Sequence, residues 1–71
     1  MKNLLKKYEL NSDMQYFELI AESFINGQNK QAMELFSEMA KLYRKEFIKL
    51  AIGVWNSGIE PHKMYMLIDL I

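Results

Sequence analysis

The chain has no cysteine, one histidine, one proline and three glycines. Without cysteine there is no disulfide, no thiolate metal site, no iron–sulfur cluster and no cysteine nucleophile. With a single histidine, the convergent set of groups that catalysis or metal binding needs is missing as well. Charge of one sign is also lacking: nine basic residues balance nine acidic ones. There is thus no global field to draw in nucleic acid or an anionic membrane. Near the start, among Lys2, Lys6 and Lys7, the only apolar run is Leu4-Leu5. It falls far short of a membrane span or the apolar centre of a signal peptide. These absences predict a cytoplasmic protein that is not an enzyme, with no cofactor, no metal, no membrane association and no small-molecule substrate. Lysine outnumbers arginine eight to one, and isoleucine, asparagine, phenylalanine and methionine are frequent. Such a bias suits an AT-rich bacterial or phage genome.

Apolar side chains are what the chain has in quantity, at 51% of its 71 residues. A chain of this length makes one domain and buries only about 60% of the surface its unfolded form exposes. Its own core therefore leaves it marginal. With disulfides and metals excluded, association with itself or another protein is the remaining source of stability.

Periodicity and turn chemistry predict an all-α fold over residues 1–71: a small three-helix bundle with an αα-hairpin and a short helical lead-in. Leu4, Leu5 and Tyr8 share a face in the lead-in, residues 1–12. Ser12 followed three residues later by Gln15 fits a capping box. It opens a helix over 13–26 with Phe17, Ile20, Ala21 and Phe24 at its apolar centre. Asn26-Gly27 ends that helix, Gly27 suiting a left-handed cap. A second helix is predicted over 29–56, capped by Asn29, with Gly53 inside it and a break between Arg44 and Gly53 as the alternative. Glu34 and Glu38 precede Lys41, Arg44, Lys45 and Lys49, an order the macrodipole of one helix prefers. Glu38 and Lys41 would be helical neighbours. Asn56-Ser57-Gly58 is a stop, and Pro61 suits the first turn of a last helix over 60–71. Met64, Leu67, Ile68 and Ile71 form that helix's apolar face.

Ile25 to Met39 resembles the turn and second helix of a pentatricopeptide or tetratricopeptide hairpin, and Ser57 to Pro61 is similar to the pentatricopeptide inter-repeat turn. Ala40 to Asn56 intervene between the two matches, and there is no second copy of the pattern. The resemblance implies helix–turn–helix geometry and nothing about RNA.

His62 and Asp69 lie on nearly one face but about 10 Å apart by helical rise, too far for a base and its orienting carboxylate. His62 reads as an exposed first-turn residue. Glu18 with Glu22 and Glu34 with Glu38 have a spacing that could place two oxygens on a metal, but no Glu-x-x-His partner motif exists. They read as solvated faces. Lys41, Arg44, Lys45 and Lys49 form a basic cluster able to contact phosphates. Neighbouring glutamates and the lone arginine limit it.

The strongest feature is a stripe that is charged at Lys30, Glu34, Glu38, Lys41 and Lys45 and turns apolar at Ile48, Ile52 and Trp55. In the last helix, Tyr65, Met66 and Leu70 likewise fall outside the main apolar face. Six methionines supply the adaptable side chains found both in cores and at tolerant binding surfaces. Ile48, Ile52, Trp55, Tyr65, Met66 and Leu70 are the expected interface of a homodimer or larger oligomer, or of an unidentified protein partner. The expected role is a small protein-binding regulator, adaptor or inhibitor. The alternative is a nucleic-acid-binding regulator using Lys41, Arg44, Lys45 and Lys49.

Overall fold

The computed structural model describes residues 1–53 and 58–71. Among these are five α-helices and no strand: α1 Lys2–Lys7, α2 Asp13–Ile25, α3 Asn29–Glu38, α4 Lys41–Ile52 and α5 Pro61–Ile68. The protein is an all-α helical bundle. The expected three-helix bundle is corrected to five helices, because the lead-in is a helix of its own and the segment expected as one helix over 29–56 is two.

The ends of α2 follow local chemistry. The Ser12 hydroxyl accepts from the Gln15 amide at 3.2 Å, while the Gln15 side chain accepts from the amide of Asn11 rather than Ser12. Gly27, at φ 78°, closes the helix with Gly27 N–H donating to Phe24 O and Gln28 N–H to Ser23 O. This is the paired Schellman arrangement. The turn sends α3 back along α2, forming the αα-hairpin that the repeat resemblance implied. Gln31 Nε2 ties α3 to the Ser23 hydroxyl, and the Tyr16 hydroxyl donates to the Leu35 carbonyl at 2.6 Å. Leu35 sits in the last turn of α3, where the Met39 N–H turns to Phe36 O instead. Tyr16 therefore serves a carbonyl that helix termination leaves without its usual partner.

α3 stops at Met39 and Ala40, both extended. No proline or glycine marks the place, and the cause is tertiary. In a continuous helix Phe36 and Phe47 would stand about 16 Å apart along the axis. The break folds α4 back, so the two rings meet edge to face at 5.8 Å and Phe47 also meets Phe17 at 5.4 Å. All three phenylalanines are buried, as is Met39 at the bend. The gain from burying Phe47 offsets the lost helical hydrogen bonds. Glu38 and Lys41 are consequently not neighbours on one helix. Glu38 instead receives Lys7 Nζ at 3.3 Å and the Tyr8 hydroxyl at 2.9 Å, which fasten α1 to the hairpin.

α5 lies against α4 and reaches back to α2. Pro61 occupies its first turn, Met64 and Leu67 enter the core, and Lys63 Nζ donates to the Phe24 carbonyl at 2.8 Å. A cation at the C-terminal end of α2 complements its macrodipole. Ile68 and Ile71, expected on the apolar face, are partly exposed instead.

Gly53 caps α4 rather than sitting inside a helix, and a Cβ built there would lie 2.9 Å from the Lys49 carbonyl oxygen. Within a continuous helix Gly53→Ala would stabilise by about 1 kcal/mol. In this structure the backbone must shift, so the substitution is expected to destabilise by about 1–3 kcal/mol. A thermal melt reads the sign directly, and a rise in Tm would restore the longer helix.

Candidate protein interface

With the break at Met39 and Ala40, the stripe read from the sequence divides. At about 100° per residue, Lys41, Leu42, Lys45, Lys49 and Ile52 share one arc of α4, about 100° wide. All five are exposed, Leu42 at 73% and Ile52 at 66%. Ile48 turns to the edge of the core and is half-buried against it. Trp55 lies outside the described residues.

The remaining expected interface residues lie on two flanks of α5. Tyr65, 68% exposed, joins Ile52 on an apolar groove of about 360 Å³ between α4 and α5, with Ala51, Ile59, Pro61, Met64 and Ile68 completing its walls. Met66 and Leu70 face α3 instead. With Met33 they floor a shallow depression of about 730 Å³, rimmed by Asn29, Lys30, Glu34, Ser37 and Glu38. The structure thus brings Ile52 and Tyr65 together, and Met66 and Leu70 together, but not all four onto one surface.

Leu42, which belongs to none of the expected interface residues, lies exposed on the same arc of α4. Its orientation follows from the bend at Met39 and Ala40, which starts α4 afresh at Lys41. Ile68, expected on the apolar face of the last helix, is exposed in a wall of the groove between α4 and α5.

Of the basic cluster, Lys41, Lys45 and Lys49 point outward. Arg44 is half-buried, and its Nε is enclosed with no hydrogen-bond partner among the described residues. His62 is exposed in the first turn of α5, 3.3 Å from Glu60. Among the described residues, no group of three or more His, Asp or Glu side chains is placed to hold a metal ion. Nor is any helix among them long and apolar enough to cross a membrane. The chain matches no protein-family model, no curated protein and no solved structure.

Proposed function

We propose that the chain is a small helical protein-binding module, acting as a regulator, adaptor or inhibitor, whose first partner is a second copy of itself. The observation that carries this reading is the exposure of Leu42, Ile52 and Tyr65, each about two-thirds or more, along the side that α4 and α5 present to solvent. Scattered single apolar residues are ordinary on a protein surface. Here Ile52 and Tyr65 converge on one groove, with Leu42 further along the same face of α4. An apolar groove with exposed side chains such as Ile52 and Tyr65 on its walls is characteristic of contact sites. Association would also supplement a core that 71 residues can only partly complete.

Ile52→Glu tests the reading. Its side chain is exposed, so a charge there leaves Phe36, Met39 and Phe47 in place. The parent is expected to sediment as a concentration-dependent dimer or larger species, and the variant as a folded monomer. A parent that stays monomeric at high concentration would overturn self-association. A second reading uses the exposed row Lys41, Lys45 and Lys49 to contact nucleic-acid phosphates. Submicromolar duplex binding whose salt slope shrank when these lysines were neutralised would put it first.

A further inference from the structure

The outer face of α4 is a like-charge row. Lys41, Lys45 and Lys49 follow one another at i, i+4, and the exposed Leu42 and Ile52 stand near the two ends of the row. Glu46, at the edge of the arc, offsets only part of that charge. The outer face of α2 has the opposite charge in the same layout. Glu18 and Glu22 are spaced i, i+4, with the exposed Met14 before them and the exposed Ile25 after them. These four residues lie within an arc of about 80°. From Met14 to Ile25 the helical rise is about 16 Å, and from Leu42 to Ile52 about 15 Å. The spacings therefore match whether the two helices run parallel or antiparallel.

None of these lysines and glutamates has an ion-pair partner among the described residues. Like charges at i, i+4 destabilise a helix by a few tenths of a kcal/mol per pair. Both rows are thus unfavourable in a single copy. The two faces cannot satisfy each other within that copy, because α2 and α4 meet through Phe17 and Phe47 in the core and turn these faces outward.

We infer that the basic, apolar-ended face of α4 docks on the acidic, apolar-ended face of α2 of a second copy of this chain. The inference rests on the self-association reading above and adds its complementary half. In a twofold pair the contact forms twice, each copy giving its α4 to the other's α2.

Charge exchange tests it. Lys45→Glu with Lys49→Glu makes both faces acidic, and Glu18→Lys with Glu22→Lys makes both basic. Each variant alone is expected to associate at least tenfold more weakly than the parent in sedimentation at moderate salt. Mixed one to one, they are expected to recover association, since both contacts of the mixed pair are again complementary. Circular dichroism checks that each is folded. Should a reversed variant not fold, Lys45→Gln with Lys49→Gln, and Glu18→Gln with Glu22→Gln, read the same loss with less repulsion. A parent that associates while every variant associates equally would overturn this interface and leave self-association standing. A monomeric parent would overturn both. Binding to phosphatidylserine-containing vesicles that needs the lysines and ignores Glu18 and Glu22 would assign the α4 face to an anionic membrane and overturn the inference.

Discussion

Phe47→Ala is expected to abolish cooperative folding or lower Tm by at least about 12 °C. Phe47 is fully buried between Phe17 and Phe36 and is the one residue of α4 that enters the core completely. Truncating a buried phenylalanine costs about 3–5 kcal/mol. A domain of this length has only about 4–10 kcal/mol in total. At this size each kcal/mol corresponds to about 4–8 °C in Tm. The bend makes a sharper claim testable by a double-mutant cycle. Rings that meet edge to face couple by about 0.5–1.5 kcal/mol, whereas groups about 16 Å apart on one straight helix would be additive. Phe36→Leu and Phe47→Leu, milder changes that keep the protein folded, should therefore be non-additive in chemical denaturation. Additivity within about 0.3 kcal/mol would mean that α4 does not fold back on α3.

Where a boundary is set by local chemistry, it was legible in the sequence. Ser12 begins α2 with its hydroxyl, and Gly27 ends it through a left-handed backbone that other residues adopt only with strain. Pro61 marks α5 for an equally local reason. The division of α3 from α4 was not legible, because its cause lies in the distance from Phe47 to Phe36 and Phe17. Met39 and Ala40 are good helix formers, and nothing in their propensity asks for an extended backbone. The charge order pointed the wrong way as well. Lys41 and Arg44 occupy the first turn of α4, where the macrodipole disfavours cations. That local cost is outweighed by the aromatic core.

The same cause decides which candidate interface residues were readable. Ile52 stands in the register of a charged stripe, and of that stripe Lys41 and Lys45 remain beside it on the exposed arc of α4. Leu42 was lost because its orientation depends on where the new helix starts. Ile48 continues the stripe only while the register of α3 runs on, and with that register ended it falls at the core edge. Met66 and Leu70 fall outside the main apolar face in the sequence pattern, and only the placement of α3 shows that they share a depression with Met33 rather than with Ile52.

Stability is expected to fall steadily above pH 10, through the junction of α1, α2 and α3. The Tyr16 hydroxyl is fully enclosed and donates to the Leu35 carbonyl. Burial raises its pKa well above the ordinary tyrosine value of 10.0, and the nearby Glu38 and Tyr8 add to the shift. Burial also raises Tyr8, as does its bond to Glu38, and the Glu38 carboxylate raises Lys7. All three groups hold their protons more tightly folded than unfolded. Their contribution is complete below about pH 10 and is lost as pH climbs toward the folded-state values, because the native chain then binds more protons than the unfolded one. For the buried Tyr16 the loss approaches about 1.4 kcal/mol for each pH unit above 10. Tyr16→Phe separates this from general alkaline denaturation. Near neutral pH the variant is expected to be less stable by about 1 kcal/mol, having left the Leu35 carbonyl unserved. It has no hydroxyl to ionise, so its stability should decline less steeply, and the two curves should meet and cross between pH 10 and about 11.5. Urea denaturation across this range, with tyrosinate absorbance followed in parallel, measures both effects. An equal alkaline slope in parent and variant would show that Tyr16 keeps no proton the unfolded chain gives up.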